Sequence, residues 1–289
     1  MTRLTSQDVI PIACNLESHE RQLREKTGLS MWQLACRAIL LPEGKPPPRS
    51  SLRTAVVPIT AGLGVIEGFA GAVAAIARHL GFPVFVTAAS DVAGFAEALE
   101  KGASLLLMAD DERFVAYNSR LGLVVDNAAA TGAVFAAALE QMAGGLQGEE
   151  VLVIGCGRVG ASAARRLIQA GARVLLCDID PRRSEDLRRR LEAAFPGCGA
   201  ASEREPARAL SHCRLIVDAC PAPAFIDRQH VDGRTVVVSP GVPHGLTTAA
   251  REALGARFLH DSLELGVAAM LAAAAAGYSF PALPRADAV

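Results

Sequence analysis

The sequence predicts an α/β protein in which an N-terminal helical segment and a small parallel α/β domain precede a second α/β domain. Three observations predict it. Short apolar runs alternate with helical periodicities from residue 54 to about residue 258, the rhythm of a parallel sheet covered by helices. A proline-rich stretch over residues 42–51 and a cluster of glycines, Gly144, Gly145 and Gly148, punctuate that alternation. With 289 residues the chain is also long enough for two domains of about 100–200 residues. The expected division is 1–145 and 146–289.

Each element follows in turn. Residues 5–26 read as a helix, with Thr5 as cap, Asp8 completing a short-armed capping box, and Leu16 and Leu23 at helical spacing. A short helix over 31–38 comes next. The three consecutive prolines within 42–51 cannot continue a helix and mark a linker. Then come a buried strand over 54–59, a helix over 65–80, a strand over 83–86, a helix over 92–101 and an apolar strand over 104–109. The acids Asp110 and Asp111 follow, and Asp111 is read as the cap of a helix through Phe114 and Tyr117. A weak strand over 121–125 leads to a helix over 132–142. In the second half, strands are expected at 151–154, 173–177, 215–219 and 235–238. The alanine-rich run 265–278 is too apolar to be solvated. It is expected to close the second domain, packed across both domains or at the interface of a homodimer. Residues 281–289 are expected to fray.

Composition excludes several classes. Hydrophobic residues make up 51% and charged residues 20%, as in a globular protein. The net charge of -1 leaves no basic excess for a phosphate backbone, so no nucleic-acid partner is expected. Seven cysteines, an odd number without a CxxC pair, read as free thiols in a reducing compartment. The N-terminus carries Asp8, Glu17 and Glu20 and no signal-peptide pattern. The apolar stretch 265–280 falls short of the roughly 20 residues that span a bilayer. A cytoplasmic location is therefore expected, with no membrane partner. No His/Cys/Asp/Glu spacing suggests a metal site.

The most informative motif is Gly155-Cys156-Gly157-Arg158-Val159-Gly160. It follows an apolar strand and opens a helix, and a second strand then ends at Asp178. This is the dinucleotide fingerprint in context, and it makes the second domain a Rossmann domain. Gly155 permits the tight turn, Gly157 lets backbone approach the pyrophosphate, and Gly160 lets helix and strand pack. Arg158 and Val159 begin the helix whose N-terminus faces the phosphates. Asp178 stands where a carboxylate accepts both ribose hydroxyls, which favours NAD over NADP; Arg182 and Arg183 are the counter-signal, because arginines there can hold a 2′-phosphate. A glycine turn that merely packs a helix on a sheet is the alternative. Two further strand ends, Cys220-Pro221 and Ser239-Pro240, face the nicotinamide side of such a crevice. His244, just beyond, is a candidate supporting residue. The loop Ala61–Gly68 also follows a strand, but its glycine spacing is one residue too long and no acid closes the next strand. It reads as a substrate-facing loop.

The first domain offers three regions to a ligand: Pro58 to Gly62, Met108 to Asp111, and Asp126 to Gly132. Val57-Pro58-Ile59-Thr60 with Gly62, Gly64, Gly68 and Phe69 resembles the dehydrogenase family of pyrrolysine biosynthesis, PylD. So do Leu107-Met108-Ala109-Asp110-Asp111 with Phe114 and Asn118, Asn127 with Thr131-Gly132, and Ser239-Pro240-Gly241-Val242-Pro243. Leu4-Thr5 and Thr27-Gly28-Leu29 are similar too, so the resemblance runs along nearly the whole chain. It implies NAD-dependent oxidation of the terminal amine of an L-lysine acylated on its side-chain nitrogen by 3-methyl-D-ornithine. Ring closure with loss of ammonia then gives pyrrolysine. It further implies that Leu4, Phe69, Asp110 and Asn127 bind the substrate, Asp110 and Asn127 at the reacting centre. The family often has serine where this chain has Ala61, so a side-chain hydrogen bond there is not expected.

The residues suit that chemistry independently. A carboxylate at Asp110 holds an ammonium by a charge-assisted hydrogen bond, and the amine must lose a proton, to a carboxylate or water, before it is oxidised. Phe69 packs either on the aliphatic chain or in the core. Other two-domain NAD(P)-dependent amino-acid or keto-acid dehydrogenases are the first rival. They lean on an active-site lysine, whereas this chain has only Lys26, Lys45 and Lys101, none at a strand end. A non-catalytic NAD-binding sensor is the second.

Overall fold

The computed structural model describes residues 4–41 and 47–284, which form two compact units. The first unit comprises Met1–Arg24, Leu29–Thr131 and Ser262–Phe280, and the second Glu25–Gly28, Gly132–Asp261 and Pro281–Val289.

The first unit opens with α1 (Ser6–Val9), α2 (Ile12–Thr27) and α3 (Met31–Ala38). The single N-terminal helix expected from the pattern is thus broken at Pro11, whose missing N–H cannot continue the ladder. The expected capping acid is in place, since Asp8 Oδ2 accepts from the Thr5 backbone N–H and hydroxyl, both at 2.7 Å. Of the linker over 42–51, residues 42–46 lie outside the described residues. There follow β1 (Thr54–Val57), α4 (Phe69–His79), β2 (Val84–Val86), α5 (Asp91–Glu100), β3 (Leu105–Ala109), β4 (Phe114–Asn118), β5 (Leu123–Asp126) and α6 (Asn127–Ala143). The strands form one sheet in the order β2-β1-β3-β4-β5, parallel across β2, β1 and β3 and antiparallel from β3 to β5.

Two expectations fail here for local reasons. Helix α4 starts at Phe69 and not at residue 65, because Gly68 has φ +83°, a left-handed backbone that breaks a helix. No helix runs through Phe114 and Tyr117. Residues 110–113 turn the chain into β4, whose burial alternates with a period of two.

The second unit contains β6 (Glu150–Ile154), α7 (Arg158–Gln169), β7 (Arg173–Cys177), α8 (Pro181–Ala194), β8 (Ala201–Ser202), α9 (Pro206–His212), β9 (Leu215–Asp218), β10 (Val236–Ser239), α10 (Thr248–Leu254) and β11 (Phe258–His260). Its six strands are all parallel, in the order β11-β10-β9-β6-β7-β8. Such a sheet is buried on both faces, hence the unbroken apolar runs of β6, β9 and β10. From Gly132 on, α6 also belongs to this unit, and there Arg166 of α7, 4% exposed, donates to Glu140 at 2.6 Å.

The last helix, α11 (Glu264–Ala276), does not close the second unit as expected. Residues 264–274 are buried, and the helix packs on α3, α4, β4 and β5 of the first unit. A helix that is apolar all round needs cover on every side, and those four elements supply it. Gly277, at φ +70°, ends it. Pro284, in the stretch expected to fray, accepts from Arg190 Nε at 2.8 Å; residues 285–289 lie outside the described residues. No helix among the described residues is long and apolar enough to cross a membrane.

Candidate active site

In the first unit the sheet gathers the expected residues at one end. Parallel β1 and β3 and the antiparallel β5 deliver Pro58, Asp110 and Asn127 from their carboxyl ends, and β4 begins there, with Phe114 paired to Ala109 and Val115 to Asp126. Phe69, half-buried at the start of α4, meets the Phe114 ring edge-on at 5.4 Å between centroids. Helix α1 packs on α4, where a Cβ on Gly68 would stand 3.0 Å from Ile10 Cγ1. Leu4, half-buried, lies just before α1.

Asp111 does different work from that expected, and Asp110 has a structural role as well. Asp110 Oδ1 accepts from the backbone N–H groups of Glu112 at 2.8 Å and Arg113 at 2.7 Å, so Asp110 builds the β3–β4 turn. Its Oδ2 accepts no hydrogen bond among the described residues, and the side chain is exposed. Asp111 caps no helix. Its Oδ2 accepts from Leu63 N–H at 2.6 Å, and a Cβ on Gly62 would collide with that oxygen. The glycine loop after β1 thus wraps a carboxylate of its own chain. Thr60, in the Val-Pro-Ile-Thr motif, donates its backbone N–H to Asp91 at 2.8 Å and its hydroxyl at 2.5 Å. These bonds hold the Asp91 carboxyl below its usual range. Ala61 is exposed.

Asn127 begins α6. Asp126, one residue earlier, accepts from Ala128 N–H at 3.0 Å and pairs with Arg113 at 3.2 Å. Asn127 Oδ1 accepts from Thr131 Oγ1 at 3.3 Å, and its Nδ2 is a buried donor without a partner among the described residues. Gly266 makes room, because a Cβ there would lie 2.5 Å from Thr131 Oγ1 and 3.0 Å from Asn127 Nδ2. The pair Arg113–Asp126 and the turn role of Asp110 carried no signal in the sequence, since both depend on the hairpin.

In the second unit the fingerprint residues fit a dinucleotide. Gly155 has φ +91°, and a Cβ on it would stand 2.8 Å from Ala219 O. A Cβ on Gly160 would collide with Gly155 O, so helix α7 packs directly on the turn. Gly157 is exposed with open space before it, where a phosphate must approach. Arg158 is exposed at the first position of α7, and Val159 is half-buried behind it. Asp178, 7% exposed at the end of β7, accepts from Cys156 N–H at 2.7 Å and Asp180 N–H at 3.0 Å. Each oxygen keeps a lone pair for a ribose hydroxyl. Burial, then Asp178, pushes the Cys156 thiol up to about 12.

At the ends of β9 and β10, Cys220 and Pro240 are half-buried, Pro221 is exposed and Ser239 is buried. Asp218, which the sequence reading passed over, lies among them with no exposure. It was visible as the one charged residue in an apolar strand. His244 packs on His260 at 4.9 Å and Phe258 at 5.2 Å, and burial, then His260, lowers its pKa. Lys26 donates to Phe258 O at 2.8 Å and Lys101 pairs with Glu97 at 2.7 Å; Lys45 lies outside the described residues.

A family model described as pyrrolysine biosynthesis protein PylD, N-terminal domain, matches residues 8–125. One described as alanine dehydrogenase/PNT, C-terminal domain, matches residues 124–238. The chain is similar to the pyrrolysine synthase of Methanosarcina barkeri, 31% identical over 94% of this chain and 97% of that one. It is similar to that of Methanosarcina acetivorans at 30% identity over 94% and 98%. Among solved structures, quinate dehydrogenase from Corynebacterium glutamicum in complex with NAD aligns with a TM-score of 0.55 at 16% identity, covering 80% of this chain and 95% of that one. That likeness is one of fold.

Proposed function

The chain belongs to the PylD family of pyrrolysine synthases, and on that premise we propose that it oxidises the terminal amine of L-lysine-N6-3-methyl-D-ornithine with NAD. NAD, when bound, supplies the two-electron acceptor. The amine-bearing carbon loses two electrons and a hydrogen, and its nitrogen loses a proton. The methylornithine α-amine then adds to the iminium carbon, and ammonia leaves as the five-membered ring closes.

The observation that carries the reading is the divided role of Asp110. One oxygen is fixed by two backbone N–H groups and the other is exposed without a bond, which suits a held ammonium. The same carboxylate, or a water on it, takes the proton that oxidation requires. Asn127 offers its unpartnered amide nitrogen to the substrate's carbonyl, and Phe69 and Leu4 pack on the aliphatic chain. On the cofactor side, Asp178 receives the ribose hydroxyls and disfavours a 2′-phosphate, which makes NAD the partner.

The test is incubation of the purified protein with NAD and the lysine–methylornithine amide, followed by mass spectrometry. Pyrrolysine and NADH should form in equal amounts. NADH binding without turnover of this amide would leave a dinucleotide-binding protein and remove the proposed reaction.

A further inference from the structure

We propose that Asp218 is a positioning residue for the nicotinamide half of the cofactor, its buried carboxylate fixing the two strand-end loops that line that half. This rests on the reading that the second unit binds NAD. Asp218 closes β9 with no exposed surface, and no Lys or Arg side chain pairs with it among the described residues. A bare carboxylate is costly to bury unless donors surround it. Here they do. Oδ2 accepts from Gly245 N–H at 2.7 Å and Ser239 Oγ at 2.8 Å, and Oδ1 from the Cys220 thiol at 3.2 Å and Cys220 N–H at 3.4 Å. Burial and the neighbouring Asp218 push the Cys220 thiol far up, so it stays protonated and remains a donor.

The donors decide what this carboxylate does. They come from the turn after β9 and from the end of β10 with the loop that follows it. These are the segments holding Cys220, Pro221, Ser239 and Pro240. The two segments also touch through backbone, since Gly241 N–H donates to Asp218 O at 3.3 Å and a Cβ on Gly241 would collide with Cys220 O. The same turn backs onto the phosphate-facing turn, where Gly155 has room for no side chain against Ala219 and Cys220. A carboxylate at this one point therefore sets where both loops stand relative to the pyrophosphate. An apolar side chain would fill the space and hold neither loop.

Asp218→Asn keeps the shape and leaves one acceptor oxygen for four donors. Whichever way the new amide lies, its –NH2 faces a backbone N–H that cannot accept from it, that of Gly245 or that of Cys220. One of the two loops is thus released. The assay is fluorescence titration of NADH, with ADP-ribose, which lacks nicotinamide, titrated by competition. Asp218→Asn should raise the Kd for NADH by about tenfold or more and leave that for ADP-ribose within about twofold. Ser239→Ala keeps the carboxylate and three donors, so it should fold and show the same split at roughly threefold. A parallel loss of both ligands, or unchanged NADH binding in either variant, overturns the assignment and leaves Asp218 a scaffold residue. If the unaltered protein binds neither ligand, the cofactor reading itself falls and takes this assignment with it.

Discussion

Replacing Asp110 by Asn separates charge from shape at the proposed substrate anchor. The amide oxygen of Asn can accept the same two N–H bonds, from Glu112 and Arg113, that Asp110 Oδ1 accepts at 2.8 and 2.7 Å. The β3–β4 turn is therefore kept, and the melting temperature should stay within about a degree or two, as expected for an exposed substitution that breaks nothing. What is lost is the negative charge behind the free Oδ2. A hydrogen bond to a charged group contributes about 1.5–3 kcal/mol, so kcat/KM for the amine should fall by about ten- to a hundredfold while the KM for NAD is unchanged. Asp111→Asn is the control. It weakens the 2.6 Å contact to Leu63 N–H and loosens the glycine loop after β1, with a kinetic effect of a fewfold. Both variants are assayed beside the unaltered protein by NADH absorbance and by thermal melting. Turnover by Asp110→Asn within twofold of normal, with the protein folded, would refute the anchor role; a larger loss in Asp111→Asn would move that role one residue on.

Four further outcomes are expected. Asp178→Ser removes the carboxylate at the ribose and should cut kcat/KM for NAD by about tenfold while narrowing the gap to NADP; an unaltered protein that uses NADP as well as NAD would remove the ribose role. Glu140→Ala leaves the Arg166 guanidinium, 5% exposed, without its 2.6 Å partner, and urea unfolding should show a loss of about 3–5 kcal/mol. The pKa of His244 is lowered in the folded protein from the ordinary 6.5, so below that pH the unfolded chain binds the extra proton and stability falls as pH drops. His244→Gln should flatten that decline in urea midpoints between pH 7 and pH 5. Removing residues 1–10 takes away Leu4 and the α1 contact with α4, and should raise the KM for the amine severalfold with that for NAD unmoved.

Much of the fold was legible because period and punctuation coincide in it. The parallel strands β6, β7, β9 and β10 are short apolar runs bounded by glycine, proline or acid, and a strand buried on both faces leaves that trace. Strand β4 left none. Phe114 and Tyr117 are three apart, which imitates a helix, while the true signal is the alternation Phe114, Ala116, Asn118 on the buried side. Asn118 is polar: its Oδ1 accepts locally from Arg120 and Leu121 N–H, but its Nδ2 donates to Ala274 O, at 2.9 Å and 156 positions along the chain. Chain order places the helix carrying Ala274 with the second domain, whereas it packs in the first unit. A composition that says a helix must be buried does not say by which neighbours.

The site divides along the same line. Gly155, Gly157, Gly160 and Asp178 lie within one βαβ unit, so their spacing is fixed by local geometry and a motif captures it. The acids fared differently because each answers a distant donor. Asp111 meets Leu63 across 48 positions and Asp218 meets Gly245 across 27, distances over which no periodicity operates. What the sequence did offer in both cases was a charge that local structure left unexplained: a second acid after a strand, and an aspartate inside an apolar one. A buried carboxylate such as Asp218 must find its donors somewhere, and backbone N–H groups of glycine-containing loops are donors that cost no side chain; Gly245 is one. The exposed Asp111 takes the same kind of donor, Leu63 N–H beside Gly62. An unexplained acid and an unexplained glycine in one sequence are thus better read as each other's partners than as two separate puzzles.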